Sequence, residues 1–254
     1  MFVITPCIAI SIIIVTKLKS YFRVSDNLSL LIAVGTSICG ATAIVALAPA
    51  INAKKEEISY AIANITVFGL IAMFLYPLLA FTVFNDNSLA VGLFLGTSIH
   101  ETAQVAGSGM IYAEQYENPS VLDIAAVIKL VRNTMMVIVI PLLAYIARKE
   151  SIQQNKINIS SIFPYFIIGF LAFGVIRTIG DQFQYQIGSQ LWNSFVHSIK
   201  FLAEILLIIA MSAVGYNTNL DKFKNLGLKP FFLGFIAAIS VGIVSFSIIV
   251  FLII

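Results

Sequence analysis

The chain has 254 residues, of which 59% are hydrophobic and only 11% are charged. A mean hydropathy of +0.99 at this length excludes an ordinary water-soluble domain and indicates an all-α polytopic membrane protein. The net charge of +3 is too small, and its Lys and Arg residues too confined to short connections, for a nucleic-acid-binding protein.

Eight apolar segments follow one another along the chain, and each is a candidate helix. They cover residues 2–16, 28–51, 57–84, 89–112, 120–147, 162–180, 196–216 and 229–254. The connections between them are too short for a separate soluble domain, so the sequence predicts a single transmembrane domain over 1–254. The first segment is shorter than the roughly 20 apolar residues of a membrane span, which is what an N-terminally truncated chain would give.

Clusters of Lys and Arg at 17–23, 148–156 and 222–229 place those connections on the cytoplasmic side. Between the first two clusters, the segments 28–51 and 89–112 either cross the membrane as broken helices or enter and return as re-entrant hairpins. Lys54 and Lys55 favour the re-entrant arrangement, but the adjacent glutamates offset them, so both alternatives stay open. In either case the backbone is expected to break at the glycines.

The tetrapeptide Gly-Thr-Ser-Ile occurs at residues 35–38 and again at 96–99, each time inside one of these two apolar segments. Polar residues at membrane depth are costly unless they face a cavity or another helix. The first copy supplies small residues and hydroxyl groups: Gly35, Thr36, Ser37, Cys39, Gly40 and Thr42. A broken helix here would direct amide groups at an anion or carbonyl groups at a cation. The alternative is a small-residue helix-packing face.

The second copy adds titratable side chains to the same pattern. Its candidate ligands are Gly96, Thr97, Ser98, His100, Glu101 and Gln104. A histidine and a desolvated glutamate can carry a proton during a transport cycle, although a structural pair locking two helices is the alternative. The order His-Glu-x-x-Gln lacks the second histidine of the zinc-protease motif, so neither a metal site nor a catalytic site is predicted.

Lys129, Arg132 and Asn133 lie at i, i+3 and i+4 of segment 120–147 and therefore on one helix face. Two neighbouring cations need an anionic partner, which Glu101, Asp123 or an anionic substrate would provide. The alternative is that this part of the helix is interfacial and the long side chains extend to the membrane surface.

The stretches Gly35-Thr-Ser-Ile-Cys-Gly-Ala-Thr-Ala43 and Gly96-Thr-Ser-Ile-His-Glu-Thr-Ala-Gln-Val-Ala-Gly107 resemble the YeiH-like family. That is a prokaryotic family of uncharacterised inner-membrane proteins that carry a sulfate-exporter label. The resemblance continues through Lys129 and Arg132 and covers essentially the whole chain. It implies a secondary carrier with internal repeats and discontinuous helices, distantly similar to sodium–bile-acid and cation–proton antiporter folds. Family members have a longer N-terminal part, so the resemblance also implies truncation.

Together these observations predict a secondary active transporter of a small anion, such as sulfate or a sulfonate, in the prokaryotic plasma membrane. Proton or sodium coupling and a homo-oligomer are compatible with the sequence, and no cofactor is expected. One alternative is a non-transporting membrane scaffold or a passive channel. Another is an intramembrane enzyme using Cys39, His100 and Glu101, but no nucleophile has a base nearby in sequence, so we expect no enzyme.

Overall fold

The structure is a computed structural model, and it describes residues 1–85, 87–150, 166–217 and 227–253. All regular elements in this part of the chain are helices. They are α1 (Ile4–Phe22), α2 (Asp26–Ser37), α3 (Ala41–Leu47) continued by a 3₁₀ turn (Ala48–Ile51), α4 (Lys55–Phe84), α5 (Ser88–Ser98), α6 (Thr102–Gln115), α7 (Ser120–Thr134), α8 (Met136–Glu150), α9 (Phe166–Ile187), α10 (Ser189–Asn217) and α11 (Lys229–Ile253). The all-α membrane fold is therefore confirmed.

Four helical stretches in the described ranges are long and apolar enough to cross a membrane: Ile4–Phe22, Lys55–Phe84, Ser120–Ala147 and Lys229–Ile253. The first extends past the predicted end at residue 16, because α1 continues until Arg23 adopts a left-handed conformation (φ 54°). The third combines α7 and α8, which are interrupted only at Met135. The cationic connections at 148–156 and 222–229 lie largely outside the described residues.

The two segments that carry Gly-Thr-Ser-Ile are both broken, as predicted. The first breaks between α2 and α3, where Gly40 has φ +66°, a conformation that glycine adopts without steric cost. The second breaks between α5 and α6, where Ile99 and Glu101 are extended. Gly35 and Gly96 lie inside α2 and α5, so the expectation that these two glycines break the backbone is wrong.

Each broken segment returns to the end of the bundle from which it starts. Ser25, the N-cap of α2, donates from Oγ to Glu57 Oε1 at 2.5 Å, so the start of α2 lies beside the start of α4. Likewise Asn118 Nδ2 donates to Ser88 Oγ at 2.8 Å, which brings the end of the second segment back to the start of α5. These contacts favour the re-entrant alternative for both segments.

The two hairpins enter from opposite ends. The first opens at the start of α4 and the second follows the end of α4, which at 30 residues is long enough to separate the two faces of a bilayer. At 1.5 Å per residue, α2 and α5 reach inward by about 18 Å and about 16 Å. Since the hydrocarbon layer is about 30 Å thick, their tips meet near its middle.

The chain divides into two compact units, residues 1–163 with 218–254, and residues 164–217. The first contains both hairpins. In the second, α9 and α10 are joined by Trp192, whose Nε1 donates to Asp181 Oδ1 at 2.7 Å. Arg177 pairs with the other oxygen of Asp181 at 2.7 Å. That 1–254 forms a single transporter domain stays a prediction.

Candidate functional site

Lys129 on α7 links the tips of the two hairpins. Its ammonium group donates to Ile38 O at 2.8 Å and to Ile99 O at 2.9 Å, and also to His100 O. The side chain is completely buried. The C-terminal end of a helix carries a partial negative charge from its unpaired carbonyl groups, and this ammonium group neutralises that charge on both α2 and α5.

Arg132, one turn further along α7, links the same two helix ends. Its guanidinium donates from Nε to Ser37 O at 2.8 Å and from Nη2 to Thr36 O at 2.6 Å. From Nη1 it donates to Thr97 O at 2.6 Å and to Ile99 O at 3.2 Å. It is also completely buried. The anionic partner expected for the two cations is thus replaced by backbone carbonyl groups.

The contacts follow the internal repeat. Thr36 corresponds to Thr97 in the two copies of Gly-Thr-Ser-Ile, and Ile38 corresponds to Ile99. Arg132 binds the first pair of equivalent carbonyl groups and Lys129 binds the second. The repeat therefore builds two equivalent helix ends that share one pair of cations.

Glu101 connects the second hairpin to the first. Its carboxylate Oε1 accepts from the amide N–H of Ala41, the first residue of α3, at 3.4 Å. The side chain fills the space above Gly40, where a Cβ would collide with Glu101 Cγ. Gly40 occupies the position in the first copy of the repeat that Glu101 occupies in the second. The second copy therefore supplies the carboxylate, and the glycine of the first copy leaves space for it.

The glycines of the tetrapeptides allow close packing. A Cβ on Gly35 would lie 2.7 Å from Ile44 Cδ1, and one on Gly96 would lie 2.8 Å from the backbone oxygen of Ala125. The hydroxyl groups of the residues after these glycines donate mostly to carbonyl groups of their own helices. Thr36 Oγ1, for example, donates to Ile32 O at 2.8 Å. The structure thus gives these residues the packing role that the sequence left as an alternative.

The remaining predicted site residues divide into buried and exposed. Cys39 Sγ donates to Met136 Sδ at 3.2 Å, and Asn133 Nδ2 donates to Thr102 Oγ1 at 3.2 Å. Ser37, Ser98, His100 and Gln104 are buried close to the tips. Thr42 on α3 is exposed, although its side chain also hydrogen-bonds to Cys39.

Six buried polar side-chain atoms have no hydrogen-bond partner among the described residues, and those of His100 and Glu101 lie at the tip of the second hairpin. They are Asn64 Oδ1, Thr66 Oγ1, His100 Nδ1, Glu101 Oε2, Gln104 Oε1 and Asn133 Oδ1. Most buried polar groups in proteins are paired, so these atoms are candidate contacts for a ligand. Asn64 and Thr66 on α4 were not predicted as site residues, although two polar residues in an apolar segment are themselves a signal.

Two re-entrant hairpins that meet at buried cations, set among long apolar helices, define an α-helical membrane protein with discontinuous helices. The chain belongs to the family described as conserved hypothetical protein 698, whose model matches residues 1–234. The resemblance to the YeiH-like family is thereby confirmed.

Curated relatives are bacterial proteins named UPF0324 membrane proteins. The chain is 33% identical to one from Fusobacterium nucleatum, over 96% of this chain and 72% of the relative. It is 35% identical to one from Oceanobacillus iheyensis, over 91% of this chain and 65% of that relative. For one from Streptococcus agalactiae the identity is 30%, over 96% and 70%. The chain thus spans about two thirds of the length of these relatives, and no solved structure matches it significantly.

Proposed function

We propose that the chain belongs to a multi-pass secondary transporter of the prokaryotic plasma membrane, which moves a small anion such as sulfate or a sulfonate. The observation that carries this proposal is the meeting of two oppositely inserted hairpins around Lys129 and Arg132. Broken helices that meet near mid-membrane place helix ends where a solute is dehydrated, as in secondary transporters.

An anion is favoured by the way in which the helix ends are used. The carbonyl ends of α2 and α5 are occupied by fixed cations, so they are not free to coordinate a cationic solute. The N-terminal end of α6 is different, because its N-cap residue Glu101 makes no capping bond to its own helix and bonds to Ala41 instead. Free amide groups at the start of a 14-residue helix attract an anion.

In this proposal, Lys129 and Arg132 act chiefly by position. Their donors hold the two tips together, and their positive charge raises the potential at the neighbouring helix N-terminus. Both cations are completely buried, where the lower dielectric strengthens their field compared with water. An anion is therefore attracted without having to displace the hydrogen bonds that hold the tips.

Counterflow in proteoliposomes tests the proposal. The purified chain and the longer Fusobacterium relative are reconstituted separately, loaded with unlabelled solute and given labelled sulfate, sulfite, a sulfonate or a carboxylate outside. A carrier transiently accumulates the labelled anion, whereas a channel does not and a scaffold takes up none. Accumulation by the relative alone would mean that transport needs residues of the relative that this chain does not match. Failure of both proteins with every anion would overturn the proposal.

A further inference from the structure

Three charged side chains are buried together where the tips of the two hairpins meet. Lys129 and Arg132 are completely buried and Glu101 is 5% exposed. Lys129 donates to His100 O, in the residue directly before Glu101. Charges this deeply buried interact strongly, because little water screens them. The net charge of this cluster therefore decides which ions it accepts.

The fixed charges of the cluster add up to one positive charge. Helices α2 and α5 end at the tips, and α3 and α6 begin there. The partial negative charges of two C-terminal ends and the partial positive charges of two N-terminal ends therefore largely cancel. What remains is the two cations of α7 and the single carboxylate of Glu101, so one positive charge is left over.

The other groups that face Glu101 leave this sum unchanged. Cys39 at the first tip is a hydrogen-bond donor and so keeps its hydrogen. Helix α4 contributes Ile65, which lies with Glu101 beside Gly40. A proton on the imidazole of His100 would add a third positive charge next to two buried cations, which is unfavourable. In the part of the chain that the structure describes, Glu101 is thus the negative group of the cluster.

One carboxyl oxygen of Glu101 is bonded and the other is not. Oε1 accepts from the amide of Ala41 at 3.4 Å, whereas Oε2 is buried without a partner among the described residues. As the N-cap residue of α6, Glu101 lies directly at the free amide groups that attract the anion. An ionised carboxylate there repels a bound anion. A protonated one carries its hydrogen on Oε2, because Oε1 accepts from the amide, and this O–H can donate to the anion.

We propose that the site accepts one net negative charge, so that a monovalent anion such as a sulfonate binds alone, whereas divalent sulfate binds together with a proton on Glu101 Oε2. A monovalent anion neutralises the single positive charge of the cluster. Sulfate alone would leave a negative charge buried without compensation, which is costly, and a proton taken up from water by the carboxylate removes it. This inference rests on the proposed anion transport and gives Glu101 the role of coupling sulfate movement to protons.

The test measures anion binding and proton uptake together, by isothermal titration calorimetry of the purified chain in detergent at neutral pH. Sulfate and methanesulfonate are each titrated in bis-tris and in Tris, which differ in their heat of ionisation and contain neither anion. The difference in binding heat between the two buffers gives the number of protons taken up per bound anion. We expect about one proton per sulfate and none per methanesulfonate.

The two affinities should also depend differently on pH. Because a proton is bound with sulfate, raising the pH should weaken sulfate binding, and its Kd should increase by up to about tenfold per pH unit. The Kd for methanesulfonate should change little over the same range. This comparison uses the unaltered protein, so it does not depend on the folding of any variant.

Glu101→Gln keeps the shape of the side chain and the acceptor for Ala41 while it removes the negative charge. Sulfate should bind to this variant without proton uptake. Methanesulfonate would now leave one positive charge uncompensated, so the preference should shift towards sulfate. Glu114→Gln, at an exposed position of the same helix, is the matched control and should still take up about one proton with each sulfate.

Sulfate binding without proton uptake by the unaltered protein would overturn this inference and leave the proposed anion transport standing. Equal proton uptake with both anions would also overturn it, because charge balance would then not govern binding. Proton uptake that persists in Glu101→Gln would place the proton on another group, such as His100, and the assignment to Glu101 would be wrong. If neither anion binds, the proposed function fails and this inference fails with it.

Discussion

The guanidinium of Arg132 donates to the carbonyl oxygen of Thr97 at 2.6 Å, at the inner end of the second hairpin. The same group reaches Thr36, the equivalent residue of the first hairpin, also at 2.6 Å. One side chain therefore binds the C-terminal ends of two helices whose hairpins enter the bundle from opposite sides. The buried negative ends of two half-helices would repel each other without a cation between them.

Arg132→Ala should destabilise the protein strongly, because it leaves the carbonyl groups of Thr36, Ser37 and Thr97 buried without this donor. Each unsatisfied buried group costs about 1–3 kcal/mol, so we expect a loss of at least about 3 kcal/mol and a much lower thermal unfolding midpoint in detergent. The unfolding midpoint of Arg132→Lys should lie between those of the unchanged protein and Arg132→Ala, since lysine keeps the positive charge but not the several N–H donors of the guanidinium.

Lys55→Ala, which removes an exposed cation at the start of α4, is the control and should change the midpoint little. If Arg132→Ala left the midpoint unchanged but abolished anion binding, Arg132 would be a direct ligand, and its role in holding the tips would be wrong.

Gly40→Ala should displace Glu101. The position has φ +66°, and an added Cβ would collide with Glu101 Cγ, which is close to the backbone and has little freedom to move. We expect a loss of about 1–3 kcal/mol from backbone strain and displacement, measured by thermal unfolding.

Gly107→Ala on α6 is the matched control. Its added Cβ would lie 2.7 Å from Met73 Sδ, part of a flexible side chain that can move away, so this variant should keep its stability. Equal losses in the two variants would mean that Gly40 has no particular relationship with Glu101.

The sequence predicts those features of the site that depend on the type and spacing of side chains. Polar residues in two apolar segments identify the hairpins, and the i, i+3 spacing of Lys129 and Arg132 places both cations on one face. It does not predict what these cations bind, because backbone carbonyl groups are present at every residue and become ligands only where a helix ends. The first break lies at a glycine, Gly40, as the sequence predicts. The second break is hidden, because Ile99 and Glu101 need only an extended backbone, which any residue adopts.

The return of each hairpin also escapes sequence analysis. Ser25 and Glu57 are 32 residues apart, and nothing in their local patterns indicates that they touch. Charge alone left the two topologies open, since Lys54 and Lys55 are followed by two glutamates. The long-range hydrogen bonds of Ser25 and Ser88 provide the information that composition lacks.

Trp192 allows the second unit to be tested by fluorescence, because it is the single tryptophan of the chain. Its indole packs against Gly180, where an added Cβ would overlap the ring, and it donates to Asp181. Gly180→Val should therefore push the ring outward and shift its emission to longer wavelength. Gly174→Val, at a position with open space around it, should leave the emission unchanged, and an equal shift in both variants would contradict the packing of Trp192 on α9.

The re-entrant arrangement predicts which positions are accessible from the same side of the membrane. Single cysteines at Tyr21, Glu56 and Gln115, all exposed, can be labelled with a membrane-impermeant maleimide in intact cells and in inverted vesicles, against a background lacking Cys7 and Cys39. If 28–51 returns to the side from which it enters, Glu56→Cys should react from the same side as Tyr21→Cys. Gln115→Cys, at the end of the second hairpin, should react from the opposite side.

A segment 28–51 that crossed the membrane would instead place Glu56→Cys and Tyr21→Cys on opposite sides, and that result would contradict the re-entrant structure. The Lys-rich end of the bundle should be the cytoplasmic one, so both of these cysteines are expected to react in inverted vesicles and not in intact cells. Which cysteines react from the same side of the membrane decides the topology, and whether that side is the cytoplasmic one decides the orientation. The same set of variants therefore tests both conclusions separately.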